Sequence, residues 1–317
     1  MFDNLFLRRR LARFSSLRCL LFFAVLVTTF SFLSPHFLSR SNFDNILAAS
    51  AVTGLLAIGS TFVIGSGGID LSIASVMALS GTVCASLVQN SALGPFAAFA
   101  ICVGTAGFSG ALTGLLVNIT KAPSFIVTLG MLSVARAIAY IVAGGIPIYG
   151  LPESVTYVGQ GEFFGISLPV LLFLSASLVA VFILRQTVFG IQTLLLGDNP
   201  SAAEAAGINA NTIRLKVHML CGVFSGIAGY VFMARTNAGD PTAGQNYELL
   251  AITAVILGGT KLFGGRATIF GTAIGAACLG TLQNGLNLLA VSSYYQVLFV
   301  GVVLIGAALL ERFGGDA

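Results

Sequence analysis

The chain has 317 residues, 56% of them hydrophobic and 8% charged, with a net charge of +4. A soluble domain has roughly a quarter of its residues charged, so this chain lacks the polar groups to cover its own surface, and a water-soluble fold is excluded. Its apolar runs are close to twenty residues long and do not alternate, which excludes a membrane barrel and predicts an all-α membrane protein.

The opening stretch, MFDNLFLRRRLARFSSLRC, is basic and leads into an apolar run over 17–38. A cleaved signal peptide opens the same way, but its apolar core is shorter and ends at a small-x-small site. This run ends in Ser34-Pro35-His36 and reads as an uncleaved anchor helix. Further spans are expected at 46–65, 71–89, 94–117, 123–143, 167–184, 214–234, 247–262, 267–290 and 294–311. The result is a polytopic helical bundle of about ten transmembrane helices with glycine-broken helices. The chain divides into a tail over 1–16, one transmembrane domain over 17–312 and a tail over 313–317.

Lys and Arg collect in cytoplasmic loops. With the N-terminus inside, twelve of the fifteen basic residues fall inside, from Arg8, Arg9, Arg10, Arg13 and Arg18 to Lys121, Arg185, Arg214, Lys216, Lys261, Arg266 and Arg312. Arg40 and Arg235 fall outside, and Arg136 lies within a span. Both termini are then cytoplasmic. The same assignment puts all seven tyrosines at or near the outer face, as an interfacial belt does.

Glycine-rich breaks at 66–70 and 259–266 are where helices either turn or re-enter. Leu55-Leu56-Ala57-Ile58 runs on to GSGGIDLS, and Leu249-Leu250-Ala251-Ile252 runs on to GGTKLFGG, an internal likeness. Repeats with broken helices are common in transporters, with substrate paths at their junction. Gly104, Gly107, Gly110 and Gly114, and again Gly271, Gly275 and Gly280, form small-residue faces suited to close helix packing in lipid.

Arg185 to Lys216 is too polar for lipid and forms a cytoplasmic loop. Within it Asn199 is a good N-cap, Pro200 suits the first helical position, and Gly207 lets the chain leave at positive φ. Two turns of helix do not hold themselves together in water, so this one is expected to dock, on its own chain or on a second protein.

Few residues carry chemistry. Asp70 lies between Gly68 and Ser72 at the first break; it either caps the helix that begins at Leu71 or serves solute passage. Arg136 either snorkels outward or pairs with an acid. Glu248 opens the eighth span, where a helix N-terminus favours negative charge. His218 is expected to be a satisfied interfacial residue. Gln283 and Asn287 share a face and, with Asn118 and Asn284, either hydrogen-bond between helices or line a path for a polyol. Gly258 and Gly259 mark the second break. Cys19, Cys84, Cys102, Cys221 and Cys278 lie singly, without metal-like spacing, and read as small buried side chains. No lysine follows a glycine, so no phosphate-binding loop is present, and no zinc-protease or serine-elbow pattern occurs. No catalytic residue, metal site or cofactor is expected. If ATP drives transport, the ATPase is another chain.

Gly68-Ile69-Asp70-Leu71-Ser72 resembles the GIDLS signature of the ribose-type permeases of bacterial ABC importers. Gly197, Asn199, Ala202, Ala203, Gly207 and Ile208 resemble that family's G-x-N-x-x-A-A-x-x-x-G-I loop. Tyr247-Glu248-Leu249, Ala254-Val255, Gly258-Gly259-Thr260, Phe263-Gly264-Gly265 and the run from Gly285 to Gln296 continue the likeness. Asp198, Leu250 and Lys261 depart from it. The resemblance implies a sugar permease of the bacterial inner membrane that works in a permease pair, a homodimer or heterodimer. It implies a cytoplasmic ATP-binding subunit gripped by the 197–208 loop and a periplasmic sugar-binding protein, with membrane lipid around it and no nucleic acid. An ion-coupled secondary carrier for a small polar solute is the alternative.

Overall fold

The computed structural model describes residues 19–89, 91 and 93–314, with the side chains of 310 and 312–314 outside that description. The expected tail over 1–16, the five basic residues before Cys19, the side chain of Arg312 and the last three residues lie outside it as well.

Ten helices stand where the ten spans are expected. They are α1 (Cys19–Leu33), α2 (Arg40–Gly65), α3 (Ile73–Val88), α4 (Pro95–Thr120), α5 (Ser124–Ala143), α7 (Leu168–Gln186), α10 (Ala210–Thr236), α11 (Tyr247–Leu257), α12 (Ile269–Leu288) and α13 (Ser293–Gly314). Of these, α2, α4, α5, α7 and α10 are long and apolar enough to cross a membrane. Three further helices lie in the connections: α6 (Glu153–Gln160), α8 (Val188–Asp198) and α9 (Pro200–Ala205). Strand β1 (Ile148–Tyr149) pairs antiparallel with β4 (Ala238–Gly239), and β2 (Glu162–Phe163) with β3 (Ile166–Ser167). The span expected over 247–262 is helical only to Leu257. Its eleven residues reach about 16 Å, half the hydrocarbon thickness of a bilayer.

Local sequence sets these boundaries. Ser39, Thr187, Asn209 and Thr268 cap α2, α8, α10 and α12 with their side-chain oxygens, and prolines open α4 and α7. Helix α2 is the axis of the bundle, buried at every residue from Ser50 to Gly65. Its Thr61 hydroxyl meets that of Thr272 on α12 at 2.8 Å, so a buried polar pair is mutually satisfied.

The packing is symmetric under exchange of two four-helix sets. Helix α10 packs on α2, α3 and α4, while α2 packs on α10, α11 and α12; α3 meets α4 and α5, as α11 meets α12 and α13. Helix α2 ends, and α10 begins, beside α8 and α9, so the two sets run in opposite directions. This is the inverted repeat of many transporters. It corrects the likeness read from the sequence, which matched α2 to α11; packing matches α2 to α10 and α3 to α11.

Small-residue faces do the close packing. A Cβ on Gly110 would strike the His218 carbonyl and lie 3.1 Å from Gly222 Cα on α10, and one on Gly114 would lie 2.8 Å from Leu215 Cα. Gly271 and Gly275 lie equally tightly against Gly258 and Ala254 of α11. Gly104, by contrast, faces open space. Two further expectations need correction. Tyr230 is not in an interfacial belt but buried against Phe99, ring centroids 5.7 Å apart. The cysteines are not all solitary: Cys19 and Cys278 approach to 3.8 Å across 259 residues of sequence.

Gly110→Val is expected to lower the melting temperature in detergent sharply, because forced overpacking costs about 1–3 kcal/mol, and Gly104→Val is expected to leave it unchanged. Equal melting temperatures for the two variants would contradict the packing.

Candidate functional site at the α9 end of the bundle

Asn199 accepts the N–H of Ala202 at 3.0 Å, Pro200 opens α9, and Gly207 leaves it at φ +83°. The Gly207 N–H donates to Glu204 O at 2.9 Å and the Ile208 N–H to Ala203 O at 3.0 Å, which satisfies the last carbonyls. Ala203 and Ile208 are buried in the core, so α9 is docked on its own chain through one small apolar contact. Every other residue from Pro200 to Gly207 is exposed. The adjacent alanines therefore differ: Ala203 anchors the helix and Ala202 faces away.

The root of α9 is a junction of three backbones. A Cβ on Gly197 would collide with Gly65 O and come within 2.7 Å of Gly265 N. Gly264, at φ +88°, has Gly197 and Gly67 backbone atoms 2.8 Å from where its Cβ would be. The Gly265 N–H donates to Gly65 O at 3.1 Å. The two glycine breaks thus meet each other at the end of α8. Both close with the same hydrogen-bonded cap as α9: Gly67 (φ +84°) and Gly68 donate to Ile64 O and Val63 O, and Gly259 (φ +92°) and Thr260 to Ile256 O and Val255 O.

Asp70 is 3% exposed. Its Oδ1 accepts the Ser72 N–H at 2.8 Å and the Ser72 hydroxyl at 2.6 Å. The capping expectation holds in modified form, since Asp70 binds the residue before the first turn of α3 and not that turn itself. Gly68 lies against Ser124 of α5, whose hydroxyl accepts the Ile69 N–H at 2.9 Å.

The opposite end repeats this turn. After α10, Asp240 Oδ1 accepts the Thr242 N–H and hydroxyl, both at 2.7 Å. Residues 238, 239, 241, 243 and 244 are buried although they are not helical. Arg136 Nη1 donates to Pro241 O at 2.6 Å and Ala243 O at 2.9 Å. Arg136 therefore does not snorkel, and among the described residues it forms no direct ion pair; it supplies the donors that irregular backbone needs inside a bundle. A small cavity lined by Met77, Gly81, Gly229, Phe232 and Asp240 adjoins this segment.

The remaining candidates disperse. Glu248 lies half-buried in the first turn of α11, close enough for its charge to act on Arg136. Asn287 accepts from Gln296 of α13 at 2.7 Å and Asn284 donates to Asn42 of α2 at 2.8 Å, the interhelical role. Gln283 makes no side-chain hydrogen bond among the described residues. Gly258 serves the α11–α12 contact. His218 holds the Arg214 carbonyl through Nδ1 at 2.8 Å, but its buried Nε2 has no partner among the described residues, so it is only half satisfied.

Residues 42–308 match the family described as branched-chain amino acid transport system / permease component. The chain belongs to this permease family. Among curated relatives, the permease is 42% identical to the ribose import permease protein RbsC of Escherichia coli K12, over 91% of each chain. It is 38% identical to the D-allose transport system permease protein AlsC of the same organism, over 91% of this chain and 89% of AlsC. It is 35% identical to the L-arabinose ABC transporter permease protein AraH of Azospirillum brasilense, over 92% and 86%.

Sequence reasoning missed Asp240 and Thr242 as parts of this permease's irregular segments. The available signal was the repeat of Asp-x-Ser at 70–72 as Asp-x-Thr at 240–242. For the permease, Asp70→Asn is expected to be mild, because an amide oxygen also accepts both Ser72 bonds. Asp70→Leu leaves two donors unpaired at about 1–3 kcal/mol each. Thermal unfolding with solute uptake checks this, and equal complete loss in folded protein would instead assign the carboxylate a charge-dependent role.

Proposed function

We propose that this permease is the membrane-spanning subunit of an ATP-driven importer that carries a monosaccharide across the bacterial inner membrane. The observation that carries the reading is similarity, over 91–92% of this chain, to permeases named for ribose, allose and arabinose. These favour a sugar over the amino acids in the family description.

The chain crosses the membrane about ten times, with both termini and the α9 end in the cytoplasm, in line with the basic residues at that end. The exposed face of α9 is the grip for a separate ATP-binding subunit, which supplies the energy; Gly197, Asn199, Ala202, Ala203, Gly207 and Ile208 build that grip. A periplasmic sugar-binding protein delivers the solute to the opposite end, and a second permease subunit completes the pathway. The solute path runs at the junction of the inverted halves, near the Asp70 and Asp240 turns. An ion-coupled carrier is disfavoured because the two charges that suggested it are already engaged, Asp70 by Ser72 and Arg136 by backbone carbonyls.

Permease in vesicles with its ATPase subunit and binding protein is expected to take up ribose, allose or arabinose only with ATP on the ATPase side, and to be insensitive to an uncoupler. Uptake abolished by the uncoupler with ATP present would contradict the reading. Ala202→Glu is expected to abolish ATPase co-purification and uptake while membrane insertion stays normal. Retained co-purification would remove α9 from the docking role.

A further inference from the structure

Beside α9 on the same end of the bundle stands a large apolar side chain that the fold does not use. Phe263 is 86% exposed. It sits at the tip of a tight turn in which the Gly264 N–H donates to Lys261 O at 3.1 Å and the Lys261 N–H to Arg266 O at 2.9 Å. The turn is anchored on both flanks. Leu262 donates its N–H to Glu311 Oε1 on α13 at 3.0 Å, and Gly265 donates to Gly65 O at 3.1 Å. Gly264 and Gly265, at φ +88° and +79°, press against Gly197 and Asp198, the two residues just before the α9 cap.

A lipid-facing phenylalanine needs no such frame, and this one has exposed charges around it. Lys261, two residues away, is exposed, and so is Asp198, against which Gly265 packs. On the proposed topology this surface faces water, and exposed Asp198 and Asn199 continue it to the exposed face of α9. An aromatic side chain held out by a pinned backbone is a pre-organised anchor, the kind that fills a pocket on a partner at low entropic cost.

We propose that Phe263 is a second contact for the cytoplasmic ATP-binding subunit, so that the motor holds this permease at two points, α9 and the 261–265 turn. This rests on the ATPase-docking reading of α9. The two points share one root. Gly197 carries α9, Gly265 carries the Phe263 turn, and both close on Gly65 at the end of α2. A push on either point reaches the start of the Asp70 segment and the α11–α12 hairpin together.

The test uses full-length permease in inverted vesicles, with and without its ATPase subunit. Phe263→Cys is expected to react with a membrane-impermeant maleimide without the ATPase and to be protected when it is bound. Phe263→Ala is expected to weaken ATPase binding by at least about tenfold, the effect of losing an aromatic anchor, with unchanged melting temperature. Equal labelling in both states would overturn the proposal, as would reaction only with a lipid-phase reagent. If Ala202→Glu abolishes ATPase binding while Phe263→Ala does not, the α9 reading stands and the second contact falls. If neither variant weakens binding, both fall.

Discussion

The bundle depends on the approach of three backbones with no side chain between them. Gly65, Gly197 and Gly265 come from segments widely separated in sequence, and a Cβ at Gly197 has no room. One direct hydrogen bond, Gly265 N–H to Gly65 O, closes the contact. Because backbones are in contact, the junction has no flexible side-chain layer to absorb displacement. The end of α2, the α11–α12 hairpin and the root of α9 therefore share one rigid point. A loop joined to the bundle through long side chains would transmit movement far less directly.

The second constraint is the satisfaction of backbone that leaves helical form inside an apolar bundle. Each orphaned N–H or C=O costs free energy there unless the protein itself supplies a partner. Both inverted halves use the same device, an aspartate that accepts the backbone and hydroxyl hydrogens two residues on, at Asp70 and at Asp240. The longer segment after α10 also takes two hydrogen bonds from Arg136. Helix α5 serves both segments, through Ser124 and Thr128 at one end and Arg136 at the other. Polar residues, rare in such a chain, hold irregular backbone here.

Much of this was readable from the residues. The ten span helices followed from apolar runs, and α9 from Asn199, Pro200 and Gly207, because caps act within a few residues; α8, an apolar helix inside the 185–216 stretch read as a polar loop, did not. The inverted repeat was not readable, since apolar helices of one composition match almost any other; the chance likeness of Leu55–Ile58 to Leu249–Ile252 pointed to the wrong partner. Arg136 was open for a similar reason. Its partners are carbonyls more than a hundred residues away, and carbonyls leave no trace in side-chain sequence. The glycines after Leu257 marked a break, but whether the chain turned or re-entered there stayed open, because a glycine has no side chain to say how the backbone leaves the helix. The contact of Cys19 with Cys278 depends wholly on how α1 lies against α12.

On the proposed topology the glycine junction and α9 form the cytoplasmic face of the bundle. Single cysteines at Ser201 on α9 and at Glu153 on α6, both exposed, probe the two ends with a membrane-impermeant maleimide. In intact cells with a permeabilised outer membrane, the cysteine at 153 is expected to label and that at 201 to label only in inverted vesicles. Labelling of position 201 from the outer side would put α9 on the wrong face for a cytoplasmic ATPase and overturn the proposed topology.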